Sequence, residues 1–145
     1  MDKKNTRILV SACLLGVNCR YDGKNGRRDE VLKLLREYEL IPVCPEQMGG
    51  METPREPSEC RRDGGRVQVM NRKGQDVTEY FEKGGEEALK IAKLYGCRYA
   101  ILKERSPSCG SGIIYDGTFS GAKTAGDGVT ARLLKEHGIK VVGES

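Results

Sequence analysis

The chain has 145 residues, with 25 Lys and Arg against 21 Asp and Glu, and 37% of its residues are hydrophobic. This length suffices for one domain over 1–145, and a formal charge of +4 is too small to indicate nucleic-acid binding by itself. No run of about 18 apolar residues would span a membrane, and the first residues lack the apolar region of a signal peptide, so we expect a cytoplasmic protein.

Strand and helix patterns alternate along the chain. Short apolar runs predict strands over 7–12, 40–43, 98–103 and 139–142. Apolar stripes and capping residues predict helices over 30–38 with Asp29 as N-cap, over 76–95 with a capping box at 76–79 and an end at Gly96, and over 128–137. This alternation is typical of a three-layer α/β/α fold, a mainly parallel sheet of about four core strands with helices on both faces.

The remaining segments are predicted as loops and short hairpins. Loops are expected over 14–28, 45–65 and 121–127, and the second is long enough to suggest a functional role. Hairpins are expected over 66–77, with its turn at 71–74, and over 113–119, with its turn at Asp116-Gly117. The pair Gly84-Gly85 inside the second helix indicates close packing or a kink there.

Three of the six cysteines occupy equivalent positions. Cys13 and Cys44 end predicted strands, and Cys109 lies a short loop after a third. In a parallel sheet these thiols converge at the carboxyl edge, where open α/β sheets bind ligands. The lack of a close Cys-x-x-Cys pair argues against a zinc ribbon or a dithiol redox centre. Three thiolates suit either an iron–sulfur cluster with one iron free or, less well, a zinc ion with one open position.

The other cysteines give weaker signals. Cys97 precedes the third predicted strand, at the opposite edge of the sheet, and is expected to be structural. Cys19 and Cys60 fall in loops, and the sequence leaves their roles open.

Proton chemistry at this edge would come from residues other than histidine. The only histidine, His137, lies at a predicted helix end, where a surface or capping role is expected. Glu46 follows Cys44 by two positions and is held near it by Pro45, which restricts the backbone. Ser106 and Ser108 precede Cys109, where they could equally be ordinary turn residues.

Arginine and lysine form two clusters on the predicted loops. Such clusters are usually solvated surfaces, but an anionic ligand such as a nucleotide phosphate would also explain them, because Arg binds phosphate with a bidentate fork. The clusters comprise Arg20, Lys24, Arg27 and Arg28, and Arg55, Arg61, Arg62 and Arg66.

A set of short motifs runs in order over nearly the whole chain. These are Ser-Ala-Cys-Leu-Leu-Gly at 11–16, Arg-Tyr-Asp-Gly at 20–23, Cys-Pro-Glu at 44–46 with Gly-Gly at 49–50, Thr-Pro-Arg-Glu-Pro at 53–57, and Ser-Pro-Ser-Cys-Gly-Ser-Gly at 106–112. Together they resemble the family known as domain of unknown function 523 (DUF523), whose characterised branch is the thiouracil desulfidases.

The resemblance implies a Rossmann-like domain and a [4Fe-4S] cluster held by Cys13, Cys44 and Cys109, with one iron not ligated by protein. It implies that Glu46 and Ser106 do acid–base work in a non-redox exchange, in which the free iron takes the sulfur of a thiocarbonyl and water replaces it at carbon. Larger relatives that act on thiolated tRNA carry a further nucleic-acid-binding domain, so a small thiolated pyrimidine base or nucleotide is expected here. Its expected contacts are Arg20, Tyr21, Arg55 and Ser108.

Two other functions remain open on the sequence. The chain could be a non-catalytic metal or cluster carrier, or a small nucleotide-binding module whose cysteines belong to the core.

Overall fold

The fold is built on a parallel sheet whose two faces are both covered. The computed structural model describes residues 6–145, apart from the side chain at position 63; residues 1–5, part of the segment inspected for a signal peptide, lie outside it. In chain order the elements are β1 (Arg7–Ser11), a 3₁₀ turn (Ala12–Leu15), α1 (Asp29–Leu32), a 3₁₀ turn (Lys33–Arg36), β2 (Glu39–Val43), α2 (Pro45–Met48), β3 (Ser58–Asp63), β4 (Arg66–Asn71), α3 (Thr78–Leu94), β5 (Tyr99–Lys103), β6 (Ile113–Tyr115), β7 (Lys123–Ala125), α4 (Val129–Glu136) and β8 (Lys140–Glu144).

Within the described residues, four strands form the parallel sheet in the order β2-β1-β5-β8. Leu9 of β1 lies opposite Ile41 of β2 and Ala100 of β5, so β1 is a central strand. Because successive side chains of a strand point to opposite faces, Leu9 packs with α3 and α4 while Ile8 and Val10 pack with α1. The predicted three-layer α/β/α class is therefore confirmed.

The first predicted helix is too long. It forms one α-helical turn, α1, and tightens into the 3₁₀ turn Lys33–Arg36. Val31 is the buried residue of α1, so little apolar surface is available to stabilise a longer helix. Asp29 is also not the N-cap: it is the first residue of α1, and its carboxylate accepts a hydrogen bond from Arg27 Nε at 3.0 Å.

The prediction of one long loop over 45–65 is wrong. It contains α2 and the strand β3, which pairs antiparallel with β4 across the turn at Gly64 and Gly65. β3 is hard to recognise because its sequence, SECRRD, is mostly polar, and its Cys60 is buried beside Val69. The hairpin predicted over 66–77 forms only in part. The Asn71 amide donates to the Gln75 carbonyl at 2.9 Å and the Val77 amide donates to the Val69 carbonyl at 2.8 Å, but the strand that pairs with β4 along its length is β3.

The long helix α3 begins two residues later than predicted. Asp76 Oδ1 accepts a hydrogen bond from the Thr78 amide at 2.9 Å, and its bonds to Thr78 lower the pKa of Asp76. Gly96 follows the helix with φ +66°, as expected for the residue after a helix end. Close packing at the glycine pair is confirmed, because a Cβ on Gly84 would overlap the carbonyl oxygen of Pro45.

The second hairpin has a wider turn than predicted. β6 pairs with β7, so the turn covers 116–122, and β7 lies in the segment predicted as a loop over 121–127. The Glu59 carboxylate accepts hydrogen bonds from the amides of Gly117 and Phe119, which holds this wide turn against β3. α4 and β8 lie close to their predicted positions.

Candidate functional site

A cavity of about 380 Å³ lies at the carboxyl edge of the parallel sheet. Its wall combines residues that follow three neighbouring strands, β1, β2 and β5, with residues of the two hairpins. The carboxyl ends of parallel strands share one edge, which explains why segments distant in sequence meet here.

The three cysteines singled out by the sequence all line this cavity. Cys13 lies in the 3₁₀ turn after β1, Cys44 follows β2 directly, and Cys109 lies in the loop between β5 and β6. Cys13 and Cys109 are buried, and burial raises the pKa of the Cys109 thiol to about 12. The structure thus brings these thiols to one wall, and what they bind there stays a prediction.

Cys19 is a fourth thiol in the same wall, and the sequence did not assign it. It is 2% exposed, and the Cys44 thiol donates a hydrogen bond to the Cys19 carbonyl oxygen at 3.6 Å. Interaction among the three thiols raises the pKa of Cys19 and lowers the pKa of Cys13 and Cys44, that of Cys44 to about 7. The only sequence signal for this arrangement is its closeness to Cys13 along the chain.

The remaining two cysteines pack into apolar clusters. The Cys60 thiol donates a hydrogen bond to the Pro107 carbonyl at 3.4 Å, and burial raises its pKa to about 12. Cys97 packs with Ala92 in the main core, which agrees with the structural role expected for it. All six cysteines are free thiols, which agrees with the expectation of thiols rather than disulfides.

Glu46 lies in the first turn of α2, with its carboxylate facing two donors. Oε1 accepts from Arg55 Nε at 3.0 Å, and Oε2 accepts from Ser108 Oγ at 2.9 Å. Ser108 is 1% exposed and its hydroxyl also contacts Ser106 Oγ at 2.9 Å. Ser108 therefore connects Glu46 to Ser106, the two predicted acid–base residues.

The oxygen of Ser106 is fixed by the backbone of its own loop. It accepts hydrogen bonds from the amides of Ser108 at 3.2 Å and Cys109 at 3.1 Å. Because the Ser108 proton points to Glu46, the Ser106 hydroxyl is the donor between the two serines. The result is a directed chain of hydrogen bonds from Ser106 through Ser108 to Glu46.

All four residues expected to contact a substrate line the cavity. Arg20 lies over the ring of Tyr21, 5.8 Å from its centroid, and Tyr21 is 40% exposed. Arg55 is instead bonded to the protein itself, to Glu46 and to the carbonyl oxygen of Cys19. Ser108 is the linking hydroxyl described above.

Further cations reach the cavity that the sequence analysis did not single out. They are Lys103, Arg72 and Arg105, and the pKa of Lys103 is lowered by burial and by Arg20. Arg72 lies in a segment predicted as a turn, and Lys103 ends a predicted strand. No local sequence signal therefore indicated that either side chain would reach the cavity. His137 lies at the end of α4, as expected for a capping or surface residue.

The donor set of this wall is sulfur-rich. Among residues 6–145, no group of three or more His, Cys, Asp or Glu lies close enough together to hold a single metal ion. A mononuclear zinc site needs its ligands within about 2.3 Å of one atom, whereas a cluster distributes its cysteines over several irons. The chemistry of the donor set fits an iron–sulfur cluster, because cysteine thiolates are the usual ligands of such clusters.

Comparison with known families gives the decisive observation. The family model described as 2-thiouracil desulfurase matches residues 8–145. The chain belongs to this family. The predicted resemblance to DUF523 and the thiouracil desulfidases is thereby confirmed.

Two relatives of this 2-thiouracil desulfurase family member have comparable length. An uncharacterised protein of Bacillus subtilis (strain 168), YbbK, is 45% identical over 144 residues, 95% of each chain. The solved structure of a [4Fe-4S]-dependent thiouracil desulfidase, TudS, superimposes with a TM-score of 0.84 at 45% identity. The match covers 96% of this chain and 91% of that one, so the fold is shared over nearly its whole length. Among residues 6–145 of this chain, no helix is long and apolar enough to cross a membrane.

Proposed function

We propose that this chain is an iron–sulfur-dependent desulfidase that hydrolyses the thiocarbonyl of a thiolated pyrimidine base or nucleotide to a uracil-type product and sulfide. The observation that carries the proposal is the wall that combines Cys13, Cys44 and Cys109 with the hydrogen-bonded Glu46 and Ser108. Membership of the 2-thiouracil desulfurase family supports it, and so does the similarity to a [4Fe-4S]-dependent enzyme.

Cys13, Cys44 and Cys109 would hold a [4Fe-4S] cluster through their thiolates, with one iron left without a protein ligand. When bound, the cluster supplies a sulfur-seeking Lewis acid at the cavity wall. Cys19, which lines the same cavity and whose carbonyl accepts a hydrogen bond from the Cys44 thiol, would remain beside the ligands.

The chain's own residues would move the protons. The water oxygen forms a new bond to the ring carbon, the carbon–sulfur bond breaks, and both water protons leave with sulfide or solvent, so no electrons are exchanged. Glu46 accepts a proton from the attacking water, and the hydrogen bonds through Ser108 and Ser106 hold its carboxylate in place and carry protons.

Substrate contacts would come from the open side of the cavity. Tyr21 offers an aromatic face for a pyrimidine ring, and Arg20 offers a cation for a phosphate. Lys103 and Arg105 on the same wall would add to the attraction for an anionic nucleotide. Free thiols around the cavity suit a reducing compartment, so we place the protein in the cytoplasm.

Anaerobic reconstitution with iron and sulfide tests the proposal. Wild-type protein should contain about four irons and should remove the absorbance of thiouracil. Cys13→Ser, Cys44→Ser and Cys109→Ser should each lose the cluster, whereas Cys97→Ser, a change in the core away from the cavity, should keep it. Glu46→Ala should keep the cluster and lower kcat by about 10²-fold or more.

The alternatives give different results in the same experiment. Brown protein that leaves thiouracil intact would indicate a cluster carrier. Colourless protein that still binds nucleotides would indicate a binding module, and normal turnover by Glu46→Ala would remove the role given to Glu46.

A further inference from the structure

Arg55 is a buried cation, and its surroundings differ from those of the other cations in the cavity. Its side chain is 6% exposed, and the Glu46 side chain that it contacts is 15% exposed. The surface ion pair of Arg132 and Glu136 on α4, by comparison, has side chains that are 62% and 57% exposed. A buried pair keeps its geometry far better than a solvated one, because water does not screen it and few rotamers fit.

The guanidinium group of Arg55 donates its hydrogen bonds to other atoms of the protein. Nε donates to Glu46 Oε1, Nη1 donates to the Glu52 carbonyl at 3.1 Å and Thr53 Oγ1 at 2.9 Å, and Nη2 donates to the Cys19 carbonyl at 2.8 Å. A guanidinium has five N–H groups, so four of them are used and one remains. A cation with one free donor is poorly suited to grip a substrate phosphate, which needs a bidentate fork.

These bonds join two segments that are far apart in sequence. The Arg55 amide donates to the Tyr21 carbonyl at 2.8 Å, and its guanidinium holds the adjacent Cys19 carbonyl. The same guanidinium fixes Glu46 at the start of α2. One side chain therefore sets the position of the carboxylate relative to the loop that carries Cys19, Arg20 and Tyr21.

From this geometry we infer that Arg55 is a positioning residue for Glu46 and not a substrate-binding residue. With Oε1 held by Arg55, the other carboxylate oxygen, Oε2, faces Ser108 and the reacting side of the cavity. This inference rests on the proposed role of Glu46. It revises the substrate contact expected for Arg55 from the sequence.

Kinetics on the reconstituted enzyme separate positioning from binding. Arg55→Lys and Arg55→Gln should lower kcat for thiouracil at least 10-fold, while the Kd for uridine monophosphate, an unreactive product-type nucleotide that carries both the ring and a phosphate, changes less than 2-fold. Lysine keeps the charge but lacks the planar fork, so it should not restore kcat. A Kd raised 10-fold with kcat unchanged, or full activity of Arg55→Lys, would overturn the inference.

Thermal unfolding provides a readout that does not depend on turnover. Glu46→Gln should lower the Tm of the wild type but not that of Arg55→Gln, because the second change removes a carboxylate that has already lost its cation. The matched control is the exposed pair on α4, where Arg132→Gln and Glu136→Gln should give additive, small shifts. Additive shifts for Arg55 and Glu46 as well would contradict the inference.

The two experiments distinguish failure of this inference from failure of the proposed function. Wild-type protein without turnover would contradict the desulfidase proposal, and the unfolding cycle would still decide whether Arg55 holds Glu46. If the wild type were active, but the Tm shifts of the Arg55 and Glu46 variants were additive and the Arg55 variants had a raised Kd, only the positioning role would be contradicted.

Discussion

Ser106 and Ser108 lie two residues apart but have different bonding. Ser106 accepts two backbone amides of its own loop, whereas Ser108 donates to the Glu46 carboxylate. Ser108→Ala therefore removes a link to Glu46, and we expect a kcat loss of about 10²-fold with iron content unchanged. Ser106→Ala should lower kcat too, and should destabilise the fold by about 1–3 kcal/mol because two buried amides lose their acceptor. Steady-state kinetics, iron analysis and urea unfolding measure these effects.

Ser58 is the matched control for stability. Ser58 lines the same cavity, and its hydroxyl oxygen is buried without a hydrogen-bond partner among the described residues. Ser58→Ala should leave the free energy of unfolding unchanged or slightly higher. If Ser106→Ala were as harmless as this control, the two amide bonds would have no structural importance.

The short helix α2 is held in place by the glycines through which it packs on α3. A Cβ on Gly84 would overlap the Pro45 carbonyl, and a Cβ on Gly49 would overlap the Tyr80 carbonyl. Alanine usually stabilises a helix interior relative to glycine by about 1 kcal/mol. Gly84→Ala should instead destabilise by about 1–3 kcal/mol, since α2 has to move away and takes Cys44 and Glu46 with it. Urea unfolding and iron retention test this.

Gly85→Ala is the control for the helix. The atoms nearest to its Cβ would be Thr130 Oγ1 at 3.3 Å and, at 3.6 Å, Leu133 Cδ2 and Thr130 Cα on α4, so no atom would overlap as the Pro45 carbonyl does at Gly84. Its effect on stability should stay within about 1 kcal/mol, with the cluster retained. Equal destabilisation by both changes would show that α2 is not specifically positioned by Gly84.

At the level of the whole molecule, the cavity wall comes from segments that only the folded chain brings together. Cys13, Cys44 and Cys109 follow three different strands of the sheet, so a cofactor held by all three binds only the native state. Such binding should raise the Tm of reconstituted protein above that of iron-free protein by about 10 °C. Cys109→Ser should abolish this difference, whereas Cys97→Ser should lower both values and preserve it. If reconstituted protein contained iron but had the same Tm as iron-free protein, a ligand set drawn from segments after three strands would be contradicted.

Amino-acid patterns alone predict the four strands of the central sheet, and they place Cys13 and Cys44 directly after two strands and Cys109 in the loop after a third. Buried parallel strands, such as the one predicted over 98–103, are recognised as short apolar runs. The residue after each run lies at the carboxyl edge of the sheet, whatever the order of the strands. The cysteine positions and the short motifs around them are also enough to indicate the family.

Packing in three dimensions establishes what local patterns do not encode. β3 has a mostly polar sequence, and its pairing with β4 and burial of Cys60 depend on partners elsewhere in the chain. The hydrogen bond from the Cys44 thiol to the Cys19 carbonyl and the ion pair of Arg55 with Glu46 are likewise made by the packing of loops. Periodicity and capping report on neighbours along the chain, whereas the partner of a thiol or a guanidinium is set by which segments meet in space.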